Sequence, residues 1–248
     1  MKLWDKGLAI DKKIENFTVG NDRELDMHIA EYDLKASKAH ARMLGKVDIL
    51  TSEEVKNIED ELAKLHQQLE NGTFQIEEDF EDVHSKIEFE LTQTLGDTGK
   101  KIHTARSRND QILVAMQLYF KENLKEISGK TKQLIDVLLG LAEKHQEKLL
   151  PGYTHLQVAM PSSFGLWFSA YAELLIDDLY LLEAGLKVVD QNPLGSAAGY
   201  GSSFPIDREF TTKELGFSTL KYNVVAAQLG RGKCERTVTA NISSVANT

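Results

Sequence analysis

Apolar residues recur at steps of three and four along most of the chain, and strict apolar–polar alternation is scarce. That spacing lines one face of a helix, whereas alternation marks a half-buried strand. The segment Asp22–Leu44 carries apolar residues at Ile29, Leu34, Ala41 and Leu44, which predicts a helix. Thr51-Ser52-Glu53-Glu54 has the form of a capping box: the hydroxyl accepts from the N–H three residues on, and the glutamate reaches back. Val55, Ile58, Leu62, Leu65 and Leu69 follow in alternating steps of three and four, and Asn71-Gly72 supplies a stop. A shorter helix is predicted over Asp82–Leu95, ending at Gly96.

The longest pattern runs through Leu113, Met116, Phe120, Leu124, Ile127, Thr131, Leu134, Leu138 and Leu141, with no proline between 107 and 150. A helix of roughly 35 residues is about 50 Å long at ~1.5 Å per residue, the size of a bundle element. Ser162–Val189 repeats the theme with Phe168, Ala172, Leu175, Leu179, Leu182, Leu186 and Val189. A Gly-, Ser- and Pro-rich loop over 191–205 and a short helix over Asp207–Leu215 follow, then helical spacing from Asn223 at Val238, Ile242 and Val245. The fold class is therefore all-α: a small N-terminal helical domain over 1–105, then the long helices of a central bundle domain over 106–248, incomplete at its C-terminal end. Two long stripes and part of a third do not close a bundle. The expectation is a fragment, or a chain that needs partners to cover its apolar faces.

Composition narrows the function classes. The net charge of −9 argues against a nucleic-acid or membrane binder, although local cations or amides suffice for an anion. The single cysteine, Cys234, excludes an internal disulfide and fits a reducing, cytoplasmic setting. The N-terminal MKLWDKGLAIDKKIENF lacks a signal-peptide core, and no window is apolar enough to span a membrane. The seven histidines are scattered without zinc spacing, so no protein-bound metal is expected.

Three polar connectors sit at predicted helix ends: 104-TARSRNDQ-111, 151-PGYTHLQ-157 and 192-NPLGSAAGYGSS-203. In the first, Arg108 offers a planar fork and Asn109 an amide, beside the free N–H groups of the longest helix. The bland reading is that Ser107-x-x-Asp110 merely caps that helix. In the second, His155 is suited to proton transfer near neutral pH, with Thr154 beside it. A turn residue satisfied by backbone is the bland reading. In the third, close glycines could form an anion nest, or simply a flexible linker. His84, in 82-DVHSKIEFE-90, is either functional or a satisfied core histidine.

Together TARSRNDQ, GYTHLQVAMP and NPLGSAAGYGSSFPIDRE, with EDVHSKIE and SKAHARML, resemble the argininosuccinate lyase family of the fumarase/aspartase superfamily, along nearly the whole chain. The resemblance implies cofactor-free β-elimination of argininosuccinate to L-arginine and fumarate. It also implies a homotetramer whose active sites draw on several chains. It assigns His155 to proton transfer and Asp26, Ser107, Arg108, Asn109 and Thr154 to substrate binding. Asp22 stands near the place of a family serine that contacts substrate. The family's mobile loop with its catalytic serine is expected beyond Thr248, so the chain by itself is expected to be inactive. Two alternatives remain: a related lyase acting on adenylosuccinate, and a non-catalytic scaffold of the kind that crystallins derived from this lyase form.

Overall fold

The computed structural model describes residues 12–248, apart from the side chains of Glu15 and Asn16. The N-terminal stretch read for a signal peptide lies mostly outside the described residues. The fold is all-α apart from two small sheets. Two compact units are present: one takes the residues up to Tyr119 together with Asp190–Arg231, the other takes Phe120–Val189 and Gly232–Thr248.

In the first unit, α1 (Lys12–Val19) and α2 (Asp22–Leu25) precede α3 (Ala30–Lys46), α4 (Ser52–Glu70), α5 (Val83–Leu95) and α6 (Asp97–Lys100). The single helix expected over Asp22–Leu44 is broken: a 3-10 turn, Asp26–His28, separates α2 from α3. The α4 capping box forms as expected, with Glu54 N–H donating to Thr51 Oγ1 at 3.2 Å and Thr51 N–H to Glu54 Oε2 at 2.9 Å. Ile58, Leu62 and Leu65 of α4 are buried against Leu34 and Leu44 of α3 and Ile87 and Leu91 of α5, with Val55 and Leu69 packed at the margin. α7 (Arg108–Lys144) begins here, and its Ala115 joins that core. β3 (Gln191–Asn192), α9 (Arg208–Glu214), β4 (Thr219–Leu220) and α10 (Val224–Leu229) complete the unit, β3 and β4 pairing in parallel.

In the second unit, α7 continues to Lys144, which makes it 37 residues long against the roughly 35 expected. Pro151 disfavours helix at the residue before it, and the chain leaves as β1 (Leu149–Thr154). β1 pairs antiparallel with β2 (Gln157–Ser163), and this hairpin corrects the expectation of a plain turn before the next helix. α8 (Phe164–Val189) and α11 (Lys233–Asn247) follow. The expected α8 stripe is in place, with Leu182 and Val189 packed on Leu124 of α7 and Val238 of α11. The segment predicted from Asn223 is divided into α10 and α11 at Gly232, whose φ is +79°. Leu134, expected on the buried stripe of α7, is exposed, and Ile135 takes its place. α8 and α11 approach closely at Gly185, where the Asn241 Nδ2–H donates to Leu181 O at 2.8 Å. A Cβ on Gly185 would stand 2.0 Å from that amide nitrogen. Among the described residues, no helix is long and apolar enough to cross a membrane.

Candidate functional site

The first unit gathers its polar side chains around the starts of α5 and α7. At the start of α7 the capping reading is partly right. Ser107 N–H donates to Asp110 Oδ1 at 2.8 Å, and Asn109 N–H donates to Ser107 Oγ at 3.2 Å. Asp110 does more than cap. Its other oxygen, Oδ2, accepts from Gly195 N–H and Ala197 N–H, both at 2.9 Å. The anion nest suspected in the Gly-rich loop is therefore filled by a carboxylate of the protein itself. Burial pushes the Asp110 carboxyl above its ordinary range, even with three amides and Arg106 favouring the charge.

The same loop is held from its carbonyl side. Arg208 Nε–H donates to Leu194 O and Nη2–H to Lys221 O, each at 2.9 Å. Gly195 lies against that side chain with φ +86°, and a Cβ there would stand 2.7 Å from Arg208 Cγ. Gln228 Nε2–H donates to Ser196 Oγ at 3.0 Å and to Ala197 O at 3.1 Å. Ser196 is fully buried. A loop with its donors and acceptors engaged in this way is a built part, not a flexible linker.

At the start of α5, Asp82 caps the helix by accepting from Ser85 N–H at 2.8 Å. Asp26 accepts from Val83 N–H at 3.0 Å and is nearly buried. Burial raises its carboxyl, and the neighbouring Asp82 and Asp22 add to the rise. Arg108 reaches the same turn: Nη2–H donates to Ser85 Oγ at 2.7 Å, and Nη1 lies 3.2 Å from Asp82 and 3.4 Å from Glu81. Asp26 and Arg108 thus meet at one helix start, an acidic group and a fork within one polar patch. Asn109 has its own neighbour, Arg231, whose Nη2–H donates to Asn109 Oδ1 at 3.0 Å.

Beneath this surface lies a buried charge cluster. His84 Nδ1 is 3.2 Å from Asp33 Oδ2, with both side chains almost wholly buried. Gln111 Nε2–H donates to both Asp33 oxygens at 3.0 and 3.1 Å, and Arg106 Nη1–H donates to Ser37 Oγ at 2.9 Å. Burial works against both charges of the pair, but their mutual attraction wins. Asp33 is held below the ordinary carboxylate range, chiefly by His84, and His84 is raised above the ordinary imidazole value by Asp33. His84 is thus a core histidine with an ionic partner, and its Nε2 has no hydrogen-bond partner among the described residues.

Thr154 and His155 belong to the second unit. Thr154 closes β1 opposite Gln157, and His155 and Leu156 form the two-residue turn of the hairpin. Both turn residues have positive φ, +48° and +62°. Asn and Gly are the usual occupants of such a turn, so a histidine and an exposed leucine there store strain. The structure therefore brings Asp26, Ser107, Arg108 and Asn109 into one polar patch and places Thr154 and His155 on a separate exposed hairpin. The sequence singled out Asp110 only as a cap, and it gave no sign of Gln228, Arg231 or the pairing of Asp33 with His84. Those contacts join residues remote in the chain.

Chemically, the patch offers a guanidinium, an amide and a helix start as donors for carboxylates, beside an acidic group for a cationic end. Comparison with known proteins identifies the setting. A family model described as a lyase matches residues 7–247. The chain belongs to this lyase family, Lyase_1. Among curated relatives, argininosuccinate lyases of Phocaeicola vulgatus and Bacteroides fragilis are each 52% identical over all of this chain and 55% of their own length. The argininosuccinate lyase of Thermotoga neapolitana is 48% identical over 94% of this chain and 59% of its own. The chain thus spans little more than half the length of these relatives. Among solved structures, a variant of EDDS lyase with bound fumarate matches with a TM-score of 0.80 at 23% identity, over 97% of this chain and 47% of that one. A fumarate lyase/delta crystallin from Brucella melitensis bound to cobalt matches at 0.72 and 19%, over 95% and 58%. At such identities the structural likeness bears on the fold alone.

Proposed function

We propose that this chain carries much of the active site of an argininosuccinate lyase, a carbon–nitrogen lyase that forms L-arginine and fumarate in arginine biosynthesis. The observation that carries the reading is the start of α7, where Arg108 donates to Ser85 Oγ and the Asn109 NH2 group lies 3.4 Å from Ser107 Oγ, in a chain 52% identical along its whole length to an argininosuccinate lyase. Elimination removes a proton from the carbon next to a carboxylate, breaks the C–N bond to form the fumarate double bond, and the departing guanidino nitrogen of arginine takes up a proton. Charge builds on that carboxylate, so pre-aimed donors lower the barrier. Arg108, Asn109, Ser107 and Thr154 bind the substrate's acidic part, Asp26 faces its guanidinium, and His155 moves the proton. No metal or organic cofactor takes part.

On this reading the functional domains are 1–105 and 106–248, and the working enzyme is a cytoplasmic homotetramer that binds neither nucleic acid nor membrane. Because the chain spans little more than half the length of these relatives, turnover is measured on residues 1–248 and on the full-length protein separately. The test is fumarate release from argininosuccinate by the full-length protein, together with calorimetric binding that is lost in Arg108→Ala and His155→Asn. Release from adenylosuccinate instead would select the related lyase. Absence of both binding and turnover would select the scaffold.

A further inference from the structure

The Asn109 amide faces a neighbour that none of the motifs contains. Arg231, in the turn after α10, donates from Nη2 to Asn109 Oδ1 at 3.0 Å. A guanidinium has donors and no acceptor, so only the amide oxygen can face it. The Asn109 NH2 group is therefore turned the other way, where its own contact is a long 3.4 Å to Ser107 Oγ. The two ends of an amide are nearly the same size, and without such a neighbour either could meet a ligand. The difference matters for an anion. A carboxylate only accepts, so it is bound by the NH2 end and repelled by the oxygen.

The position of Arg231 is itself fixed within the first unit. Its N–H donates to Gln228 O at 3.1 Å. The Gln228 side chain donates to Ser196 Oγ and Ala197 O. Ala197 N–H donates to Asp110 Oδ2, and Asp110 adjoins Asn109 in α7. These contacts close a ring from Arg231 through the Gly-rich loop to the start of α7 and back to Arg231.

We propose that Arg231 is a positioning residue of the lyase site: it holds Asn109 with its NH2 group toward the substrate carboxylate and sets a cation behind that subsite. The proposal rests on the reading of Asn109 as a carboxylate ligand. In the full-length lyase, Arg231→Ala raises KM for argininosuccinate about tenfold with kcat within about threefold, and Arg231→Lys, which keeps a donor, recovers most of the loss. In an Asn109→Ala background, Arg231→Ala changes KM by less than about threefold, because the two residues act through one contact. An equal rise in both backgrounds means that Arg231 binds substrate directly or only shapes the fold, and overturns the proposal.

A second measurement does not depend on turnover. Asn109→Asp presents only oxygens to Arg231. That variant keeps or raises the melting temperature while Arg231 is present, and adding Arg231→Ala lowers it by more than Arg231→Ala lowers the parent. The same variant raises KM by about a hundredfold or more, since a carboxylate now faces the substrate. Thermal coupling without argininosuccinate turnover places the failure in the lyase reading. Absence of thermal coupling overturns the role of Arg231.

Discussion

His40 and His84 are both fully buried in the first unit, yet they hold protons in opposite ways. Burial, with the Arg106 charge added, depresses His40 to about 3, so the ring is neutral and its Nε2–H donates to Thr104 O at 2.9 Å. Unfolded, the ring takes up a proton below about pH 6.5. His40 therefore costs stability as pH falls from there toward 3, by ~1.4 kcal/mol per unit or roughly 3 kcal/mol by pH 4. The stability difference between the parent and His40→Gln should shift against the parent by that amount between pH 7 and pH 4, measured by urea unfolding. A flat difference would refute the neutral ring. His84 works in another window. Asp33 raises it, so its contribution is full below the unfolded value and is lost as pH climbs through the folded one. Asp33→Asn removes that gain, so as pH rises above about 6.5 the parent should lose stability relative to the variant. Arg108, Asn109 and His155 were named from the sequence because a chemical type stood in a motif; the structure places the first two at the start of α7 and His155 in the turn of the β1–β2 hairpin. Asp110 looked like a cap because its second oxygen serves amides of the Gly-rich loop, a contact spacing cannot reveal.

Helices were the readable elements, because a stripe buried at period 3.6 leaves its mark in the order of residues: Ile58, Leu62 and Leu65 in α4, or Leu175 and Leu182 in α8. The β1–β2 hairpin leaves no such mark. Most of its residues are exposed and none is buried, so little enforces alternation, and its turn uses His155-Leu156 where Asn-Gly would have announced it. The break between α2 and α3 was equally silent, since no glycine or proline stands at Asp26–His28. Close approach of two helices can be tested at Gly185. Ala at that position would drive its Cβ into Asn241 and displace the bond from Nδ2 to Leu181 O. Gly185→Ala should cost about 1–3 kcal/mol through crowding and the lost bond, despite alanine's better helix propensity. Asn241→Ala should lose part of that bond alone. The double variant should be more stable than the sum of the two losses predicts, because the clash partner is gone. Strict additivity in chemical unfolding would show that the two helices do not meet there.

At the scale of the whole molecule, the second unit carries more apolar surface than a lone chain keeps. On α8, Leu166, Trp167, Leu174, Tyr180 and Leu181 are 66, 46, 53, 66 and 46% exposed, and α7 adds Leu134, Val137 and Leu139. The α8 stripe that packs on α7 and α11 was legible, but α8 is apolar on a second face as well, and one period cannot say which neighbour covers it. Helices apolar all round are buried ones. Burying a side chain of this size contributes ~1.5–3 kcal/mol, so five or six together exceed the cost of ordering them against like partners. The partner that fits without a second gene product is the same face of another copy, which would close a bundle expected to be incomplete in one chain. Light scattering at micromolar concentration should give a mass near four chains for the full-length protein. Leu174→Glu with Tyr180→Glu should lower that mass toward one or two chains while helix content by circular dichroism holds, since each glutamate would bury an unpaired charge between helices. If the double variant keeps the parent's mass, this face is not the contact; if the parent is monomeric, a site assembled from several chains cannot form, and the hairpin bearing His155 must then act within its own chain.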